Sequence, residues 1–193
     1  GAVEAFSRSL ELDGNQAGAM NGRGKSLARL GRMEEAEAAF ARAIDLDPAL
    51  TNAMQGRAEA LHALGRDAEA APILEEVLGR EPDNAAAWRE LSLVRQALAL
   101  LPEAMAAIEK ALQRDGEVAS AWAEKGALEE AMGEHDRAIA SFRTALSLSP
   151  DDPALWSGLG LAELSLQHHR EAAEAFGESL GRSPEDAGAW SHL

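Results

Sequence analysis

Cysteine and tyrosine are both absent from this chain, and aromatic residues make up only 4% of its 193 positions. Without Cys there is no disulfide framework and no thiolate-ligated zinc or iron–sulfur centre. Without Cys or Tyr, a catalytic side chain would have to be Ser, Thr, Lys, His or a carboxylate. Cations are also scarce. Eighteen Lys and Arg face 33 Asp and Glu, for a formal net charge of −15. A surface that acidic repels a phosphate backbone and argues against nucleic-acid binding. No apolar run approaches the roughly 18 residues that a membrane-spanning helix needs, so no membrane insertion is expected, and the expected compartment is the cytoplasm. Hydrophobic residues still make up 46% of the chain, enough for one or two ordinary domains with a buried core.

The few aromatics that are present are strictly placed. Trp88, Trp122, Trp156 and Trp190 are spaced by 34 residues, and Phe6, Phe40, Phe142 and Phe176 by multiples of 34. A fixed period of this length marks stacked supersecondary units. Counting Trp88 as phase 4 gives full repeats at 17–50, 51–84, 85–118, 119–152 and 153–186. Residues 1–16 then form the second half of an earlier repeat, and 187–193 the start of a further one. Phase 8 is small throughout (Gly24, Ala58, Ser92, Gly126, Gly160) and phase 20 is always Ala, from Ala2 to Ala172. Phase 24 is large and apolar (Phe40, Leu74, Ile108, Phe142, Phe176), and Pro48, Pro82, Pro150 and Pro184 stand at phase 32.

Each unit carries two apolar stripes of helical period separated by a short break. Leu30-Gly31-Arg32, Leu64-Gly65-Arg66 and Met132-Gly133-Glu134 mark three of the breaks, where Gly supplies the left-handed conformation that ends a helix. Asp152-Pro153 reads as an N-cap followed by Pro at the first helical position. Two units are irregular. The third lacks the Gly, and Pro102 is expected to open its second helix. The second has Pro72 about one turn into its second helix, where a tightened or kinked start is expected. All eight aromatics read as core, and Trp122→Ala is expected to cost about 3–5 kcal/mol.

This pattern of a large residue, a small residue, Ala, Phe and a terminal Pro resembles the tetratricopeptide repeat. The resemblance spans essentially the whole chain. It implies an all-α fold, a right-handed α-solenoid of stacked antiparallel helix pairs forming a single array over 1–193. The Tyr usual in the family at phase 11 is replaced by Leu27, Leu61, Arg95, Glu129 and Glu163. Core-type residues at both ends (Phe6, Leu10, Leu12, Trp190 and Leu193) lead us to expect a fragment of a longer array whose ends suit end-to-end self-association.

No catalytic or nucleotide-binding motif is present. Gly22-Arg23-Gly24-Lys25-Ser26 resembles the tail of a phosphate loop, but it lacks the spaced first Gly and a preceding strand. His135 and the His168-His169 pair fall in helix breaks and read as solvated, without convergent third and fourth metal ligands. The carboxylate pairs Glu34-Glu35, Glu75-Glu76 and Glu129-Glu130 are consecutive on helices, so they diverge. They read as solvated faces. No enzyme activity, cofactor or metal is expected.

What remains for function is the surface. In the resembled family the first helices line a concave groove. Carried over by phase, that groove would hold Asn21, Lys25 and Arg29; Asn52, Gln55, Glu59 and His62; Arg89, Glu90, Leu93 and Gln96; Glu124 and Glu130; and Ser157 and Leu161. Gly at phase 6, as in Gly56 and Gly158, would leave room for a partner's side chain. The family's clamp for chaperone tails needs Lys at phase 5 and Asn at phase 9, and here Asn21 and Lys25 stand in the reverse order. The five full repeats carry net charges of 0, −4, −1, −4 and −4, so the groove is expected to be mixed near its N-terminal end and acidic beyond. The expected function is a non-enzymatic scaffold holding a protein or peptide segment in this groove. The alternative is a regulatory or substrate-recruiting array of an enzyme, such as a transferase, whose catalytic domain lies elsewhere.

Overall fold

The computed structural model describes residues 16–183. Among them it contains ten α-helices and no strands, so the fold is all-α. The chain divides into two compact units, Gly1–Leu100 and Leu101–Leu193. Phe6, Trp190 and the two terminal part-repeats lie outside the described residues.

In the N-terminal unit the helices are α1 (Gln16–Arg29), α2 (Met33–Leu46), α3 (Thr51–Ala63), α4 (Asp67–Arg80) and α5 (Ala85–Ala97). In the C-terminal unit they are α6 (Leu101–Arg114), α7 (Ala119–Ala131), α8 (His135–Leu148), α9 (Pro153–Ser165) and α10 (His169–Arg182). Within each unit every helix packs on the next, as short connections between helices require.

The breaks between paired helices share one geometry. In each, the amide two residues past the helix cap bonds five residues back, as in Arg32 N to Leu27 O (3.0 Å), Arg66 N to Leu61 O (2.8 Å) and Glu134 N to Glu129 O (2.8 Å). This is the Schellman termination, which needs one residue of positive φ. Gly31, Gly65 and Gly133 supply it at 72°, 71° and 76°. The third and fifth breaks keep the same bonds without glycine. Leu100 N reaches Arg95 O at 2.9 Å and His168 N reaches Glu163 O at 3.0 Å, so Ala99 and Gln167 are held at φ 60° and 62°. Pro102 is the second residue of α6.

Pro72 does not interrupt its helix, which runs continuously from Asp67 to Arg80. Pro72 and Ala68 are both exposed, so the Ala68 carbonyl that loses its amide partner can bond to water. Asp152 caps α9 as expected, its carboxylate accepting from Ala154 N at 2.9 Å.

The core follows the period. Phe40 and Phe176 are each 1% exposed, and Leu27, Leu61, Leu74 and Ile108 are fully buried. The described tryptophans, Trp88, Trp122 and Trp156, are only half-buried. Trp122 and Trp156 lean on the cluster around Phe142. The indole N–H groups of Trp88, Trp122 and Trp156 donate to the carbonyls of Pro82, Gly116 and Pro150, each at 2.8 Å. The sequence reading of aromatic core therefore applies in full to the described phenylalanines, while each described indole also ties its helix to the preceding loop.

Candidate functional site

Three of the five described phase-24 positions are Phe, and glycines make room for them. A Cβ on Gly24 would lie 2.7 Å from the Phe40 ring, and one on Gly56 of the next repeat 2.6 Å from it. Gly126 and Gly158 flank Phe142 in the same way, at 3.0 and 2.5 Å. This corrects the sequence reading of Gly56 and Gly158 as open seats for a partner. The protein's own rings fill those seats, because a Phe at this phase needs more width than the Leu74 or Ile108 that replaces it elsewhere. Where the ring is absent, the residues at the two glycine phases are larger: Ala58 and Glu90 for Leu74, Ser92 and Glu124 for Ile108.

Above Phe40 lies a cleft of about 370 Å³ between α1 and α3. One wall carries Lys25, Ala28 and Arg29, and the other Asn52, Gln55 and Glu59. Residues 25 and 29 are one helical turn apart, so their like charges lie side by side, an arrangement that destabilises a helix slightly. Both are exposed, and neither makes an ion pair among the described residues. On the facing wall Gln55 donates to Glu59 at 3.2 Å, and Asn84 donates to Gln55 at 3.5 Å. Arg29 and Lys25 can therefore receive a carboxylate, while the carboxamides opposite can pair with a peptide backbone.

Five of the residues expected from the phase pattern (Lys25, Arg29, Asn52, Gln55 and Glu59) thus meet in one cleft. The others do not join it. Asn21 is half-buried on α1. The His62 ring nitrogen Nδ1 shares a hydrogen bond with Asp67 at 2.5 Å across its helix break. Arg89, Glu90, Leu93 and Gln96 lie half-buried on α5. In the C-terminal unit Glu130 is bonded to His135 (2.9 Å) and Ser165 (2.5 Å). Ser157 meets the Ser179 hydroxyl at 2.9 Å, Glu124 is half-buried, and Leu161 is 42% exposed. Phe40, the floor of the cleft, was counted only as core in the sequence. The signal that could have found it is the coincidence of Gly24 and Gly56 around a Phe.

One acid is corrected as well, and a second is found buried in the same way. Glu129, read as part of a solvated face, is 1% exposed, and Glu163 is 3% exposed. Each stands where the family has Tyr, and each is paired inside. Ser141 donates to Glu129 at 2.5 Å and Lys125 lies 3.6 Å from it. Arg143 and His168 hold Glu163, both at 2.8 Å. A carboxylate can be buried only with such partners. His135 and His168 are correspondingly bonded to carboxylates rather than simply solvated.

The fold and its repeating helix pairs define a helical-repeat protein. Family models described as tetratricopeptide repeat match residues 27–92 and 1–50, and one described as TPR repeat matches 126–167. The chain belongs to the tetratricopeptide repeat family. Among solved structures it is similar to YrrB, described as a TPR protein with an unusual peptide-binding site, with 19% identity over 98% of both chains and a TM-score of 0.77. It is similar to a thermophilic TPR protein of Thermus thermophilus, with 25% identity over 91% of this chain and 95% of that one and a TM-score of 0.73. It is similar to MamA of Desulfovibrio magneticus RS-1, with 19% identity over 90% of this chain and 98% of that one and a TM-score of 0.81. The likeness to YrrB and MamA is one of fold alone. No curated protein matches the chain. None of the described helices is long and apolar enough to cross a membrane.

Proposed function

We propose that the chain is a non-enzymatic protein–protein interaction scaffold and that the cleft over Phe40 holds an extended peptide or protein segment. The observation that carries this reading is the meeting of Lys25 and Arg29, without ion-pair partners among the described residues, with Asn52 and Gln55 across a cleft floored by an aromatic ring. An acidic side chain or a terminal carboxylate of the ligand pairs with the two cations. The facing amides take its backbone, and Glu59 disfavours a second acid further along. The other phase-derived groove residues, from Arg89 to Leu161, extend the contact surface within their own units.

Affinity capture from a lysate of the source cell tests the reading, comparing the wild type with Lys25→Glu/Arg29→Glu/Arg89→Glu. A partner held by the wild type and released by the variant is the expected result. A partner held equally by both would remove the cleft from the binding site.

A further inference from the structure

A second groove lies in the C-terminal unit, between α8 and α10, with α9 as its floor. It measures about 580 Å³. Leu146, Trp156, Leu159 and Ala175 make its apolar base. Along one wall run Glu171, Glu174 and Glu178, spaced so that they share one face of α10. The groove shares Arg143, Glu163 and Glu171 with an adjoining cleft of about 390 Å³ that reaches Asp136 and Ile139. On α9, helical periodicity places Trp156, Leu159 and Glu163 on the face opposite Ser157, Leu161 and Ser165. This groove is therefore separate from the phase-derived surface discussed above.

The repeat supplies its own controls. At the phase of Leu159 stand Arg57 and Lys125, and at the phase of Glu174 stand Pro72 and Ala140. Glu171 corresponds to Arg137, and Glu178 to Thr144, in the preceding repeat. Arg57 is occupied by Glu37 at 2.8 Å. Of the three equivalent positions within the two units, only the α8–α10 groove joins an apolar base to an unbroken row of carboxylates.

Charge names the occupant. Four glutamates and one arginine line the groove, and that arginine, Arg143, is held by the buried Glu163 at 2.8 Å. At one end the rim carboxylates have only a loose side-chain partner. Arg170, with its side chain 81% exposed, approaches Glu171 at 3.4 Å and Glu174 at 3.8 Å, and pairs of that kind contribute little. At the other end the chain displays the interaction itself. Arg182 stacks 5.1 Å from the centroid of Trp156 and bonds Glu178 at 2.5 Å. A guanidinium over an indole beside a carboxylate is a favourable arrangement.

We infer that the α8–α10 groove is a second docking surface, one that takes a cationic amphipathic segment of a partner protein. A large apolar side chain of that segment rests on Trp156 and Leu159. Its flanking Arg or Lys residues pair with Glu171 and Glu174, displacing Arg170, and compete with Arg182 for Glu178. The surface is independent of the cleft over Phe40 and prefers a ligand of opposite charge.

An immobilised library of short peptides, varied in charge and apolar content, tests this on the full chain. The wild type is expected to select peptides with Leu, Phe or Trp flanked by Arg or Lys. Glu171→Lys/Glu174→Lys/Glu178→Lys should weaken those peptides by about ten-fold or more, since three modest pairs are reversed together. Lys25→Glu/Arg29→Glu should leave their binding unchanged. A thermal melt checks that the triple variant folds, and Glu171→Gln/Glu174→Gln/Glu178→Gln replaces it if it does not. The inference is overturned if no cationic peptide is selected, or if the selected ones survive the rim substitutions. It is also overturned if they are lost with Lys25 and Arg29, which would place them in the cleft over Phe40.

Discussion

Phe40 and Phe142 occupy the same place in two repeats, each between two glycines, yet the surfaces above them differ. Above Phe40 the rim is Lys25, Arg29, Asn52, Gln55 and Glu59. The equivalent phases around Phe142 are Ala127, Ala131, Ala154, Ser157 and Leu161. The buried frame is copied because any change in ring or glycine disturbs packing on both sides. The rim is free to differ because its side chains face water. In a repeat protein, identity between units therefore locates the scaffold, and departures from identity locate the candidate sites.

The comparison can be broken most sharply at the ring. Phe40→Ala and Phe142→Ala should each cost about 3–5 kcal/mol in denaturant unfolding, but only Phe40→Ala should also weaken a ligand of the Lys25 cleft. A ligand equally sensitive to both would show that the two sites are not distinct. Next in size are the glycines. Gly56→Ala and Gly158→Ala push a methyl to 2.6 and 2.5 Å from their rings and should each cost about 1–3 kcal/mol. The double variant Gly56→Ala/Phe40→Leu should lose less than the sum of its parts, since the smaller side chain vacates the space. The helix breaks come third. Ala99→Gly should stabilise by about 1 kcal/mol and Gly133→Ala should destabilise by a similar amount, because both positions require a positive φ.

The smallest effect is electrostatic. Hydrogen bonds from Thr51 and Asn84 hold the Glu81 carboxyl below its usual range. Its contribution to stability is complete above the unfolded carboxylate value of about 4.3 and is lost as pH falls through the lower folded value. Thr51→Val should raise the Glu81 midpoint in an NMR titration. A midpoint that does not move would mean that the Thr51 contact is not kept in solution.

The helix pairs were legible because they depend on residues whose chemistry is local, such as Gly31, Gly65 and Gly133 at the breaks and Asp152 before Pro153. Ala99 and Gln167 were not legible as left-handed residues from their own side chains. Only their phase, shared with the glycines, points to that conformation. Five of the residues expected at the site converge, since they rise from adjacent first helices whose spacing the period sets. Gly56 was misread because a missing side chain looks the same in sequence whether the space is open or filled from elsewhere. Glu129 was misread for a related reason, and the burial of Glu163 was not anticipated. A carboxylate looks solvated until its partners are known, and those partners come from other helices: Ser141 for one, Arg143 for the other. The α8–α10 groove escaped notice because its acidic wall resembles an ordinary water-facing helix until Leu159 and Trp156 are placed beside it.

The bond from each indole to the carbonyl six residues before it has a practical consequence. Trp88, Trp122 and Trp156 place three indole N–H protons in three repeats, each held by one bond of the same length. Such protons exchange with solvent only when their own bond opens, and local opening varies across a structure. The chain therefore carries its own set of matched internal probes. The order in which the three signals fade in deuterated water would rank the opening of three repeats in a single sample, with no label attached.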